Sequence, residues 1–573
     1  MHTIKKRWYN KEPNKEIQRL LSRELSISPL ISQILINRGI EETDSAHRFL
    51  YPGLSQLHPP FMMKDIKKAL HRLIHAIKTK EKIIIYGDYD VDGITSVAVL
   101  LTFLRNLGAN ASFYIPHRLS EGYGLNANAM ESIIRLGAKL LITVDCGIND
   151  IEEVSLAQRE GLDVIITDHH EVPDILPPAC AILNPKQKDC GFPYKSLAGV
   201  GIAFNLIIAL RTRLREMGFW KHKRIPNLKE YLDLVALGTI ADVVPLTDEN
   251  RIIVKFGLEQ LTYSTRPGII ALKEVSELKN TIITPWMVGY RLAPRLNAAG
   301  RLSRADEGVR LLTTQDLKEA EGIARVLDIE NTKRQQIEDQ ILKDAKEMIK
   351  KDESLLLKRT ITLASCNWHP GIMGIVASRL VEEYYKPTVM ISLDNAVGKG
   401  SARSIEGFHL YEGIRECAHL LKAFGGHKYA AGLTIDEKNI PAFRDLFEKI
   451  VKNTLSEDDF TPKISIDAEI TIKELTEGLL EELEILAPFG PSNPEPTFSS
   501  SLLYVLNSNI VGNEHLKLRL KQDGCVCDAI GFYMGKNTVL PRQYIKAAFS
   551  SQINNWQGIK TIQMKLKDIH IVD

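Results

Sequence analysis

The chain has 573 residues, with 73 Lys plus Arg against 71 Asp plus Glu, so its net charge is +2; 44% of residues are hydrophobic and 25% are charged. These values exclude a disordered, collagenous or coiled-coil protein and a small stapled scaffold. They also exclude a chain that is basic throughout, so charge for a polyanionic partner has to be gathered locally.

At about 150 residues per domain the length fits roughly four units. Residues 1–75 read as helical, with amphipathic stretches at 16–25 and 66–77. A short apolar strand at 82–86 stops at Gly87, and a helix pattern follows at 95–107. Strands at 112–115, 139–144 and 163–167 then alternate with helices at 125–136 and 151–160. This alternation predicts an α/β unit with right-handed crossovers and a mostly parallel sheet. Continuous apolar runs such as Ile83-Ile84-Ile85 fit strands buried on both faces. A further apolar segment covers 234–240.

Residues 317–351 form one long helical pattern with no Gly or Pro after Gly322, as expected of a connecting helix. A smaller α/β pattern follows at 361–435. Pro488, Pro491, Pro494 and Pro496 crowd around Gly490 and mark another boundary. The tail alternates as short strands at 502–506, 516–520, 529–533, 545–549 and 560–566, which predicts a small β-barrel. The expected organisation is an N-terminal helical segment (1–75), a parallel-sheet catalytic domain (76–315), a connecting helix (316–352), a smaller α/β domain (353–455) and an OB-like barrel (456–573).

Seven cysteines scattered from Cys146 to Cys527 give no disulfide framework and point to a reducing compartment. Cys525 and Cys527 lack the second pair that a zinc site requires. The N-terminus is polar, without the apolar core of a signal peptide, and no apolar run approaches the ~18 residues of a membrane span. A cytoplasmic protein is expected.

The strongest chemical signal is Gly87-Asp88-Tyr89-Asp90-Val91-Asp92-Gly93. Its carboxylates alternate, which points them to one side if the extended geometry continues. The strand at 139–144 ends at Asp145, the one at 163–167 at Asp168-His169-His170, and the segment at 234–240 at Asp242. In an open parallel sheet the ligand crevice lies beyond the carboxyl ends of the strands, so four acidic strand ends are expected to meet there. Two bare carboxylates ~4 Å apart repel by about 4 kcal/mol at an effective dielectric of about 20, and several together require cations. Carboxylate and imidazole without thiolate favour Mn²⁺ or Mg²⁺. Enough ligands for two ions suggests two-metal phosphoester cleavage. A lone strand-end Asp is ordinarily a turn or cap residue, and D-x-D-x-D also suits a calcium loop or a haloacid-type phosphatase. The calcium loop needs Glu where Val99 stands, and the phosphatase makes no use of Asp-His-His.

In these motifs the chain resembles the DHH phosphoesterase superfamily, and within it the branch of single-strand-specific 5′→3′ DNA exonucleases. Asp168-His169-His170 is similar to the name-giving triplet, and Gly87 to Thr95, Thr143 to Gly147 and Gly238 to Leu246 are similar to three further motifs. Residues 115–125 and 291–301 resemble segments of the exonuclease branch, and 425–432 resembles the signature of the DHH-associated domain. The resemblance implies that Asp92, Asp145, His169 and Asp242 hold one metal. It implies that Asp88, Asp90 and a bridging Asp145 hold a second, with Asp168 and His170 orienting ligands or assisting proton transfer. Tyr86 stands where some superfamily members carry a His ligand.

An exonuclease must grip an end, and the planar fork of Arg suits a terminal phosphate. Gly400-Ser401-Ala402-Arg403-Ser404 resembles the family's phosphate loop, with Ala402 in place of a glycine. Arg118 follows a strand, and Arg295 and Arg301 lie in a loop-like segment that could contact the DNA backbone. His427 is flanked by small residues; it either faces the ligand or ties a loop. Trp368 to Gly371 opens a helix whose N-terminus could face a phosphate. On the barrel, Lys517, Arg519, Lys521, Phe532 and Tyr533 suit a basic groove with stacking rings, or are simply its wet face.

The expected activity is therefore metal-dependent 5′→3′ degradation of single-stranded DNA to 5′-mononucleotides in recombination and repair, fed by a helicase and single-strand-binding protein. The alternatives are a relative that cleaves short oligoribonucleotides or cyclic dinucleotides, and a non-catalytic replication scaffold.

Overall fold

Five short strands form one wholly parallel sheet in the order Asn110–Tyr114, Lys82–Gly87, Leu140–Val144, Asp163–Thr167, Ala181–Leu183. Successive residues of the strand Lys82–Gly87 feed opposite cores. Ile83 and Ile85 pack with the helix Val91–Asn106, and Ile84 and Tyr86 pack with Met130 and Ile133. Burial on both faces explains why the strand reads as an unbroken apolar run. In chain order the sheet runs 2-1-3-4-5, so its topological switch point lies between Lys82–Gly87 and Leu140–Val144.

The computed structural model describes residues 6–12, 14–118, 121–302, 305–512, 514–537, 539–556 and 559–572. The chain divides into two compact units. One comprises Glu42–Thr332 and Ile485–Glu495, the other Met1–Glu41, Lys333–Glu484 and Pro496–Asp573. The division falls inside the long helix Leu317–Lys351. The proline-rich stretch is held in the first unit by Arg251. Its buried guanidinium donates to the carbonyls of Leu486 (2.9 Å) and Ala487 (2.8 Å) and stacks on Phe49.

The apolar segment ending at Asp242 is not a strand. Leu232–Ala241 is a helix, apolar apart from Asp233 and Thr239 and buried along Leu232 to Thr239. A short apolar run with no alternation carries no period that distinguishes a buried helix from a buried strand. At Gly238 an added Cβ would lie 2.2 Å from Thr95 Oγ1, so only glycine permits this approach to the helix Val91–Asn106. Arg295 and Arg301 likewise lie on a helix, Ala293–Leu302, rather than in a loop.

In the second unit a mixed sheet runs Leu421–Gly426, Ala430–Asp436, Val397–Arg403, Thr388–Asp394, Ile361–Ser365; the last pair is parallel and the rest antiparallel. The segment read as a phosphate loop is thus a strand as far as Arg403, tied on both sides. The N-terminal segment is not wholly helical either. Arg7–Asn10 is a strand paired in parallel with Lys463–Ile466, and Trp8 stacks on His570 while donating to Asp568 (2.8 Å). Four residues are too few to show a period, and the partner strand lies far along the chain.

The C-terminal strands Phe498–Val511, His515–Gln522, Cys525–Gly531, Ile559–Val572 and Tyr544–Trp556 pair in that order, and the last returns to the first. This closed 1-2-3-5-4-1 circuit is an OB-type barrel. Lys517, Arg519 and Lys521 alternate outward along one strand, and Phe532 and Tyr533 are exposed.

Candidate metal centre

The acids meet at the switch point by a different route from simple alternation. Asp88 extends the strand Lys82–Gly87, but the extended geometry stops there. Asp90 caps the helix Val91–Asn106 by accepting from Asp92 N (2.9 Å) and Gly93 N (3.1 Å), and Asp92 lies in the first turn. Asp92 is buried and accepts from Gly199 N (2.6 Å) and Val200 N (2.8 Å), the first amides of the helix Gly199–Glu216. A helix N-terminus stabilises the carboxylate and locks its direction. Gly199 is required here, because an added Cβ would come within 2.9 Å of the Asp145 side chain.

Asp145 follows the strand Leu140–Val144 with φ 61°, a left-handed backbone rare outside glycine. Such strain collects at functional sites. Asp242 ends the helix Leu232–Ala241 and reaches the same place. Three groups of donor atoms each fall within 4.8 Å of one another: Asp92, His169 and Asp242; Asp88, Asp90 and Asp145; and Asp145, His169 and His170. Asp145 and His169 are shared between groups.

Four buried atoms in this cluster have no hydrogen-bond partner among the described residues: Asp88 Oδ1, Asp145 Oδ1, His169 Nε2 and Asp242 Oδ2. His169 Nε2 and Asp145 Oδ1 are 3.1 Å apart but not in hydrogen-bonding orientation. An unpartnered buried polar atom costs about 1–3 kcal/mol, so four converging ones call for a cation. The donors are all oxygen or imidazole nitrogen, which fits Mn²⁺ or Mg²⁺. Cys146 is turned to the Val144 carbonyl instead.

The electrostatics agree. Burial, then the neighbouring Asp90, pushes Asp92 up to about 7. Burial, then Asp92 and Asp90, pushes Asp242 up to about 9. Asp88 and Asp145 are raised well above the carboxylate range by burial and by adjacent acids. Burial and the neighbouring His170 hold His169 down to about 3, leaving the neutral imidazole that ligates metals.

Asp168 and His170 behave differently. Asp168 accepts from Ile148 N (3.0 Å), His170 N (3.1 Å) and His170 Nδ1 (2.8 Å), so both its oxygens are engaged. Burial acts to raise Asp168, but the bond and charge from His170 hold it low; the same pairing raises His170 against its own burial. Tyr86 turns away into the other core and donates to Gly124 O (2.8 Å).

Sequence reasoning missed Gly199 and Val200, whose amides fix Asp92, and Tyr123, whose hydroxyl lies 3.3 Å from the Asp145 carbonyl and 3.3 Å from His170 Nε2. Tyr123 stands within the family-like segment 115–125 and could have been found there. The two amides have no signature of their own.

Arg118 stacks on Tyr89 (4.8 Å), and its charge acts on Asp88. Arg295 is committed internally: it donates to Asp328 (2.8 Å), Arg291 O (2.5 Å) and Val275 O (3.2 Å). Arg301 is on the same helix, half-buried.

In the other unit Arg403 Nη1 donates to Ala402 O (2.8 Å) and Ser401 Oγ (3.4 Å). Both side chains abut Gly374, where a Cβ would sit 2.7 Å from the guanidinium, in the first turn of the helix Met373–Tyr384. Arg403 pairs with Ala430, and His427 N donates to Ala430 O (2.8 Å), so this turn lies beside the arginine. A cation, a hydroxyl and a helix N-terminus together suit an anion.

A parallel sheet with carboxylates and Asp-His-His at its switch point defines a DHH-type protein. Residues 82–239 match the DHH family, N-terminal domain, residues 358–453 the DHHA1 domain, and residues 466–568 the RecJ OB domain. The chain belongs to the RecJ family. It is 40% identical to the single-stranded-DNA-specific exonuclease RecJ of Bacillus subtilis over 99% of this chain and 71% of that protein. It is 36% identical to RecJ of Haemophilus influenzae over 96% of this chain and 98% of that protein. The crystal structure of Thermus thermophilus RecJ with Mn²⁺ superposes with a TM-score of 0.83 at 29% identity, over 99% of this chain and 80% of that one.

Proposed function

We propose that the chain is a divalent-metal-dependent exonuclease that degrades single-stranded DNA from the 5′ end to 5′-mononucleotides. The convergence of four unpartnered buried donor atoms at the switch point carries this reading. Membership of the RecJ family supplies the substrate class. Asp92, Asp145, His169 and Asp242 would hold one ion, and Asp88, Asp90 and Asp145 a second. Bound Mn²⁺ or Mg²⁺ supplies Lewis-acid charge at the phosphate and eases deprotonation of water.

The protein's own groups do the rest. Asp168 holds His170 by its Nδ1, and His170 in turn can hold or deliver a proton as the bond to the 3′-oxygen breaks. Arg118 offsets charge on the phosphate. Arg403 and Ser401 would grip the 5′-terminal phosphate. Cleavage of the bond between phosphorus and the 3′-oxygen leaves a new 5′-phosphate on the shortened strand, ready for the same grip. In the cell a helicase and a single-strand-binding protein would supply the strand, in the cytoplasm and in recombination and repair.

The test is end-labelled single- and double-stranded DNA and RNA incubated with Mn²⁺, with and without chelator. Release of mononucleotides from the 5′ end of single-stranded DNA only, abolished by chelator, is the expected outcome. Internal cuts, or activity that survives chelation, would overturn it.

A further inference from the structure

Trp286 and Tyr290 are 58% and 69% exposed, and their rings lie nearly parallel, 23° apart with centroids at 5.4 Å. Two large aromatics held side by side in solvent keep apolar surface in water at about 25 cal/mol per Å². Patches of this kind mark interaction sites.

The pair is rigidly mounted. Pro285–Met287 leads into a π-turn, Val288–Leu292, a geometry frequent at functional sites. Val288 and Leu292 are fully buried on the opposite side, and Arg291 donates to Ser276 O at 2.7 Å. The same helical run continues as Ala293–Leu302 and docks on the catalytic turn. There Val91 N donates to Asn297 Oδ1 (3.2 Å), and Gly300 lies so close to Tyr89 O that a Cβ would sit 2.5 Å from it. Tyr290 and Asn297 are seven residues apart, roughly 10 Å along a helix axis. The rings therefore keep a fixed, short distance from the acids.

We infer that Trp286 and Tyr290 form a stacking platform for unpaired bases of the strand being degraded. The inference rests on the single-stranded DNA reading above. Rings stack on any unpaired base, with sequence tolerance, whereas bases inside a duplex are already stacked and present no free face. The platform thus adds grip on single strands at a set distance from the metal centre.

The experiment compares wild type, Trp286→Ala/Tyr290→Ala and the conservative Trp286→Phe on a long oligothymidylate, on the same strand carrying abasic sites, and on a dinucleotide. At about 1–3 kcal/mol per stacked base, the double variant should raise KM for the long strand roughly tenfold or more. It should leave kcat and dinucleotide cleavage unchanged, and abasic sites should cost the double variant less than wild type. Trp286→Phe should restore most of the affinity. Both positions are exposed, and a matching circular dichroism melt confirms the fold. Unchanged KM in a variant, while wild type degrades single strands, overturns the platform and leaves the nuclease reading intact. So does a wild-type dimer that the double variant dissociates at unchanged KM, which makes the patch a protein interface. Wild type inactive on single-stranded DNA would instead sink the underlying reading.

Discussion

The acidic cluster and the Arg403 pocket both concentrate charge, yet they are built in opposite ways. Around Asp145 the fold forces like charges together and leaves four atoms without partners among the described residues. Around Arg403 the guanidinium is braced by its own strand, through Ala402 O and Ser401 Oγ. The first is an arrangement under electrostatic strain that a cation relieves. The second is a preorganised donor set that is stable by itself. Loss of a group should therefore change function at both places but change stability with opposite sign.

The largest effect is expected from Asp145→Asn, which keeps the volume and tolerates the left-handed backbone. It should lower Mn²⁺-dependent hydrolysis by ~10³-fold or more while raising the melting temperature of the protein in EDTA. A lower melting temperature in EDTA would show that the cluster is not strained. Arg403→Ala should weaken use of 5′-phosphorylated strands by about 10- to 100-fold, the worth of a charge-assisted bond, with little effect on 5′-hydroxyl ends and no gain in stability. Equal losses on both ends would remove the phosphate grip from the comparison.

Acidity sharpens the same contrast. Asp92 and Asp242 are raised from 3.8 to about 7 and about 9 in the folded chain. A carboxyl raised by folding contributes stability that is complete below its unfolded value and lost as pH rises through the folded one. Chelated protein should thus lose stability between about pH 4 and pH 9. Mn²⁺ takes the place of the protons, so the stabilisation it adds should grow over that window. Thermal melts with EDTA and with Mn²⁺ across pH check both halves. The smallest effect on activity is expected from Arg295→Gln. Its bonds to Asp328, Arg291 O and Val275 O are internal, so about 1–3 kcal/mol of stability should go while kcat/KM stays within about twofold. A large rise in KM for DNA would return Arg295 to the binding surface.

Much of the centre was legible because its chemistry is local. Asp88, Asp90, Asp92 and Asp168-His169-His170 sit in short motifs just past apolar strands, and a parallel sheet brings strand ends to one edge. The barrel's five strands were visible as apolar kernels, four of which extend further because half of a barrel strand is polar and wet, while the one read at 529–533 lies instead at Cys525–Gly531 and leaves Phe532 and Tyr533 in the turn after it. The helix Leu317–Lys351 matched its sequence pattern from end to end because helical periodicity persists over its whole length.

What the sequence determined by itself was the inventory: two α/β units, a β-barrel, and an acidic, imidazole-bearing centre suited to divalent cations. Tertiary structure alone decided how the inventory is aimed. The amides of Gly199 and Val200 direct Asp92 across a long sequence separation. The segment before Asp242 became a helix because burial on all sides erases the period that would identify it. Arg295 turned to Asp328, and Arg7–Asn10 found its partner at Lys463–Ile466. Each of these depends on contacts between distant parts of the chain, and local pattern encodes only the periodicity and chemistry of neighbours.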